Sequence, residues 1–138
     1  MLVHDIYHEQ VKHALIKDGW TITVDPLRLS IGPTDVYIDL GAERTIAAEK
    51  GNQKIAVEIQ TFQGPSNVRE FEVALGQFIL YRAHLSRIEP DRKLYLAVPK
   101  GVYDGFFGEL VARIPLEELD MPLIAFDPKK EMIVRWRK

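Results

Sequence analysis

Apolar and polar side chains alternate along Lys54-Ile-Ala-Val-Glu-Ile-Gln-Thr-Phe62, a period of two that predicts a strand. Ile55, Val57 and Ile59 share one face, and Ala56, Glu58, Gln60 and Phe62 share the other. Shorter runs of the same kind predict extended segments at Trp20–Val24, Val36–Leu40, Thr45–Glu49, Leu94–Pro99, Leu123–Phe126 and Met132–Trp136. The period lengthens to that of a helix in two places. From Asp5 to Asp18, Tyr7, Val11, Ala14 and Leu15 fall on one side, and Gly19 is placed to end the helix. From Asn67 to Ser86, with Ser66 as its cap, Phe71, Leu75, Phe78, Ile79, Arg82 and Leu85 trace a core-facing stripe. Two short helical stretches are expected within Val102–Leu119, and Asp127-Pro-Lys-Lys130 joins the last two strands. This order describes a mixed α/β domain, a sheet flanked by helices.

Glu58 changes the picture, because a carboxylate on a strand this apolar needs a reason. One reading is an amphipathic strand with a wet face. The other begins with the acids upstream. Asp39, Glu43 and Glu49 precede Glu58 across one hairpin turn at Lys50-Gly-Asn-Gln53, and Gln60 lies about 7 Å beyond Glu58 on the same face. Acids on one strand opposite Glu-X-Gln on the next can hold a hard divalent cation between carboxylate oxygens.

Composition narrows the alternatives. The chain has 138 residues, 46% hydrophobic and 28% charged, which fits one domain over residues 1–138 with a single core. The absence of cysteine excludes disulfides, thiolate zinc sites and cysteine nucleophiles, and it suits a reducing cytoplasm. No apolar run approaches the ~20 residues that cross a bilayer, and Met1–Asp5 opens no signal peptide, so the expectation is a cytoplasmic protein without a membrane partner. A net charge of −2 weakens binding to nucleic acid by bulk electrostatics alone, while Arg82, Arg87 and Arg135-Trp-Arg-Lys138 leave local phosphate contacts open. His4, His8 and His13 share the first-helix region with Glu9 but do not form His-Glu-X-X-His, so they read as surface or packing residues, with His8 the one placed to approach phosphate. Trp20 and Trp136 read as core or interface residues.

Asp5-Ile-Tyr-His8, Gly41-Ala-Glu-Arg-Thr-Ile-Ala-Ala-Glu-Lys50, Ala56-Val-Glu-Ile59 and Ala74-Leu-Gly-Gln-Phe78 closely resemble the XisH family, and the likeness covers nearly the whole chain. The resemblance implies a controlling factor for excision of the fdxN element, a DNA rearrangement in cyanobacteria. Such a factor acts beside a site-specific recombinase and an XisI-type companion protein, and self-association is left open. The family is similar in architecture to the PD-(D/E)XK, restriction-endonuclease-like superfamily, which implies a mixed β-sheet core and a Mg2+ or Mn2+ site. On that pattern Glu9 matches the acid of the first helix, Glu58 the third-strand acid and Gln60 the lysine position. The second-strand acid is Glu43 by spacing, or Asp39 if the strand breaks at Gly41. Gln77 and Tyr81 form a Gln-X-X-X-Tyr spacing similar to that beside the active site in one branch of the superfamily, and a four-residue gap sets both on one helix face. Gln60 is the departure, since an amide orients water but brings no charge to stabilise a phosphodiester transition state.

Overall fold

The structure, a computed structural model, describes residues 6–47 and 51–138. His4, Asp5 and Glu49 lie outside the described residues. Helix α1 (His8–Lys17) opens the fold, and Gly19 in the left-handed region at φ 94° turns the chain out of it. Strands β1 (Thr21–Val24), β2 (Leu27–Ile31), β3 (Thr34–Ile38), β4 (Leu40–Ala47) and β5 (Gly51–Ile59) follow. Helix α2 (Asn67–Ile88) is capped by Ser66, whose hydroxyl accepts from the Arg69 N–H at 3.2 Å. Then come β6 (Arg92–Pro99), α3 (Lys100–Asp104), a 3-10 turn at Phe106–Gly108, α4 (Leu110–Glu118), β7 (Leu123–Asp127) and β8 (Met132–Arg137).

Six strands form one mixed sheet in the order β1-β4-β5-β6-β7-β8, and β2 and β3 form a separate hairpin. The β5–β6 and β6–β7 pairs are parallel, and the β1–β4, β4–β5 and β7–β8 pairs are antiparallel. A parallel neighbour requires a crossover. Here α2 supplies the first and α3 through α4 the second. Both steps run the same way across the sheet, and both crossovers pack on the same face.

The two faces carry separate apolar layers. Val11 and Leu15 of α1 pack with Leu40, Ala42, Ile55, Val57, Ile59, Tyr95 and Ile124 on one. On the other, Phe71, Ala74, Phe78 and Leu85 of α2 meet Ala56, Leu94, Leu96, Val98 and the β2–β3 hairpin. Trp20 is buried and lies 5.7 Å from Trp136.

Five sequence expectations shift. The expected strand Val36–Leu40 is split at Asp39 between β3 and β4, and the strand expected from Thr45 begins earlier, at Leu40. Leu27–Ile31 is a strand that the alternation left unread, because Pro26 and the Gly32-Pro33 turn frame it as loop. The extended run from Lys54 ends as a strand at Ile59, and Phe62 takes φ 58° to enter the α2-side core. Ile79 is 46% exposed: α2 buries its Phe71–Ala74–Phe78–Leu85 side and turns Ile79 to solvent. Among the described residues no helix is long and apolar enough to cross a membrane.

Candidate metal centre

Asp39 is the single residue between β3 and β4, where the chain leaves the small hairpin and enters the large sheet. The β4–β5 register pairs Leu40 with Val57 and Gly41 with Ala56, so one step back sets Asp39 opposite Glu58. Two bonds tie the pair. The Asp39 N–H donates to Glu58 Oε1 at 3.3 Å, and the Ile59 N–H donates to Asp39 Oδ2 at 2.7 Å. Each carboxylate therefore accepts a backbone N–H from the opposite segment, which fixes the two acids relative to each other. Glu58 is 7% exposed and Asp39 half-buried.

Helix α2 completes the surroundings. The Gln60 amide donates from Nε2 to Gln77 Oε1 in a short hydrogen bond. Tyr81, one turn beyond Gln77, is half-buried. Burial, and behind it the negative charges of Glu58 and Asp39, push its phenol above the ordinary value. The structure thus sets Asp39 beside Glu58 and ties Gln60, two residues beyond Glu58, to Gln77, with Tyr81 one turn farther along α2.

Glu43 is placed elsewhere. It faces the same way as Asp39 but pairs with Lys54, four residues or roughly 13 Å along the strand from Glu58. There it accepts from Asn52 at 3.4 Å and lines a polar groove with Gly19, Thr21, Thr23 and Arg44. Gly41 lies between the two ends, and the Arg92 guanidinium packs over it while donating to the Ile55 carbonyl at 2.9 Å.

Glu9 joins a different group. It sits on α1, which covers the opposite face of the sheet, and one of its carboxylate oxygens comes within 4.8 Å of a His8 ring nitrogen and an Asp25 carboxylate oxygen. His8 Nε2 and Asp25 Oδ1 are 2.7 Å apart, and the Lys12 ammonium lies 2.8 Å from Asp25 Oδ2. Burial works against the Asp25 charge, yet the bonds from Lys12 and His8 outweigh it and hold the carboxyl below its usual range. Lys12 already neutralises this carboxylate, so the trio reads as an ion-pair clasp between α1 and the end of β1. Asp25 was the residue that sequence reasoning missed. Its signal was the His8–Lys12 pair, four apart on one helix face and both able to meet one acid.

Comparison with known proteins decides the family, because the XisH protein model matches residues 1–134. The chain belongs to the XisH family. A crystal structure of an XisH family protein from Nostoc punctiforme is similar with a TM-score of 0.87 and 41% identity, covering 97% of this chain and 100% of that one. That of a fdxN element excision controlling factor protein from Anabaena variabilis has a TM-score of 0.87 and 43% identity, covering 98% and 100%. The comparison with curated proteins found no match. In this XisH chain, Asp39 and Glu58 are bonded across the start of the β4–β5 pair, and the Gln60–Gln77 bond ties the end of β5 to α2.

Proposed function

We propose that this XisH protein serves as an accessory factor in site-specific excision of a DNA element, on a restriction-endonuclease-like core, with a divalent-cation site at Asp39 and Glu58. One observation carries the reading: two neighbouring strand segments hold two carboxylates side by side through each other's backbone N–H groups. Two carboxylates fixed side by side offer a hard divalent cation oxygen ligands from both segments. The order of elements supports the same core, since an antiparallel β4–β5 pair carrying the acids leads into parallel β6 through a long helix. The role in excision rests on family membership and on the controlling-factor name of the Anabaena variabilis relative.

The donors fit a hard cation. Asp39 and Glu58 offer only oxygen, and a Mg2+ or Mn2+ ion bound by two carboxylates fills its remaining positions with water and phosphate oxygens. Such an ion would polarise a phosphodiester and lower the pKa of a bound water. The chain's own groups divide the rest of the work. Asp39 and Glu58 hold position through the backbone, Gln60 presents an amide fixed by Gln77, and Tyr81 stays protonated as a neutral donor.

Gln60 supports a second reading, a non-catalytic regulatory module that acts through an XisI-type partner or a recombinase, because an amide at this position brings no positive charge. One assay separates the two readings: Mg2+- and Mn2+-dependent cleavage of supercoiled, linear and branched DNA, with and without the companion protein. Metal-dependent nicking that disappears in Glu58→Ala supports the nuclease. Intact DNA throughout, with a companion complex that survives size exclusion, supports the module.

A further inference from the structure

The carboxyl ends of the parallel strands β5, β6 and β7 share one edge of the sheet, the edge outside which open α/β sheets take their ligands. Glu58 stands at the β5 end of it. The register sets Glu58 level with Leu96 of β6, and Leu96 level with Leu123 of β7. Lys100 follows β6 four residues past Leu96, and Asp127 closes β7 four residues past Leu123. At ~3.3 Å per residue along a strand and ~4.8 Å between strands, both lie roughly 15 Å from Glu58.

The turn between β7 and β8 gathers positive charge there. Asp127 Oδ1 accepts from the Lys129 N–H at 2.9 Å and from the Lys130 N–H at 3.1 Å, which pins the turn and draws the carboxylate onto its own backbone. The Lys130 N–H is the main reason that the Asp127 carboxyl sits below its usual range, and the Lys130 and Lys100 charges add to it. Lys17, in the last turn of α1, donates from Nζ to the Lys130 carbonyl at 2.9 Å. Glu131, which follows Lys130, lies 3.0 Å from His13 Nδ1. Lys17, Lys100, Lys129 and Lys130 are all exposed. Among the described residues none of the four is in an ion pair, whereas Lys12 and Lys54 are each matched by an acid. In a chain of net charge −2, four such ammonium groups around one turn reverse the sign locally.

We infer that this basic turn docks the phosphate backbone of DNA, beside the corner where Asp39 and Glu58 would meet a phosphodiester. The inference rests on the DNA role and cation site proposed above. Lysine suits the task, since an ammonium on a flexible stem makes a point-charge contact to phosphate and reads no base. Roughly 15 Å corresponds to about four nucleotide steps at ~3.4 Å each, so the turn holds the strand a short way beyond the corner and sets the direction in which it runs. The two acids alone repel a polyanion. The turn supplies the attraction that neither they nor Gln60 brings, at a distance that serves binding and not the chemical step.

Fluorescence anisotropy with a labelled DNA duplex in EDTA, over a salt series, tests the site, with far-ultraviolet circular dichroism to confirm folding. Lys129→Gln combined with Lys130→Gln should flatten the slope of log affinity against log salt by about 2, at ~0.9 per phosphate contact. The same pair should weaken two duplexes of unrelated sequence equally. Lys100→Gln and Lys17→Gln should each flatten the slope by about 0.9. Lys93→Gln removes the same charge at the opposite end of β6 and should keep the wild-type slope. Glu58→Ala should keep it too, while its loss of Mn2+ stabilisation judges the cation site separately. Equal slopes for wild type and the Lys129 and Lys130 double variant overturn the inference. So does an equal loss in Lys93→Gln, a wild type that leaves the duplex unbound, or tighter lysine-dependent binding to phosphatidylserine vesicles. Metal-dependent cleavage with wild-type salt dependence in the lysine variants removes the docking site and leaves the nuclease standing. Lysine-dependent binding of DNA that is never cut upholds the docking site and assigns it to the regulatory module.

Discussion

The two ends of the β4–β5 pair carry acids on the same face of the same strands and treat them in opposite ways. At the Glu43 end the carboxylate stands across from Lys54 and beside Asn52, bordering a solvated groove. The Lys54 ammonium across from it is paired with Asp91 at 3.5 Å instead. At the Asp39 end two carboxylates share a largely buried corner, each held by a backbone N–H of the neighbouring segment. The difference teaches where to look for chemistry. An acid that borders water at a sheet edge is solvated where it stands, whereas two carboxylates fixed side by side in a largely buried corner present oxygens from two strand segments to one place.

The sharpest way to break the comparison is metal binding. Mn2+ at about one hundred times its Kd should add about 2.7 kcal/mol to wild-type stability. Chemical denaturation with and without the ion should show that gain lost in Glu58→Ala and in Asp39→Ala and kept in Glu43→Ala. Equal gains in all three variants would remove the distinction between the two ends.

Gly41, which separates the ends, gives the next largest effect. A Cβ there would stand 2.5 Å from Val24 Cγ2 and 3.0 Å from the Arg92 guanidinium, so β1 or Arg92 has to move. Gly41→Ala should cost about 2 kcal/mol in urea titration, within the range for overpacking. A variant as stable as wild type would mean that Arg92 is not a fixed divider.

Much of this was readable from residue order, for reasons that differ by element. The alternation through Ile55–Ile59 is steep enough that one register alone buries the apolar set, so β5 and the facing of Glu58 with Gln60 follow from pattern. The Ser66 cap and the Gly19 stop are local and equally legible. Which of Asp39 and Glu43 stands opposite Glu58 was not, since it depends on a β4–β5 register set by a hairpin closing several residues away. Both acids share a face, so facing alone cannot separate them. Ile79 misled for a related reason: α2 has two apolar sides, and periodicity does not say which one the sheet takes. Asp25 stayed hidden because its partners His8 and Lys12 come from another element.

Gln60→Lys sharpens the comparison from the side of chemistry. The lysine would set an ammonium beside Asp39 and Glu58, with the Gln77 carbonyl oxygen as a ready acceptor. Any Mg2+-dependent DNA cleavage should rise at least about tenfold, equivalent to ~1.36 kcal/mol of transition-state stabilisation. The matched change at the other end, Asn52→Lys beside Glu43, should leave cleavage where it was. A Gln60→Lys protein that folds, binds metal and leaves every DNA substrate whole would instead favour the regulatory module.

The smallest effect reads the corner without any added ligand. Tyr81 is raised first by burial, then by Glu58, then by Asp39. A phenol with a raised folded pKa contributes stability that is complete below the unfolded value of about 10 and is lost as pH rises through the folded value. Wild-type stability should therefore fall above about pH 10 more steeply than that of Tyr81→Phe. Tyrosine-ring 13C titration, with Tyr81→Phe assigning the signal, should place Tyr81 lower in Glu58→Gln and slightly lower in Asp39→Asn. Glu43→Gln should leave it unmoved, because that carboxylate is roughly 13 Å along the strand. Tyr95 is the internal control, raised by burial and opposed by Arg44, on the other face of the sheet. Saturating Mg2+ should lower Tyr81 in wild type by cancelling the same two charges, while Tyr95 stays put. If Tyr81 ignores Glu58 and Asp39 but follows Glu43, the assignment of the two ends is reversed.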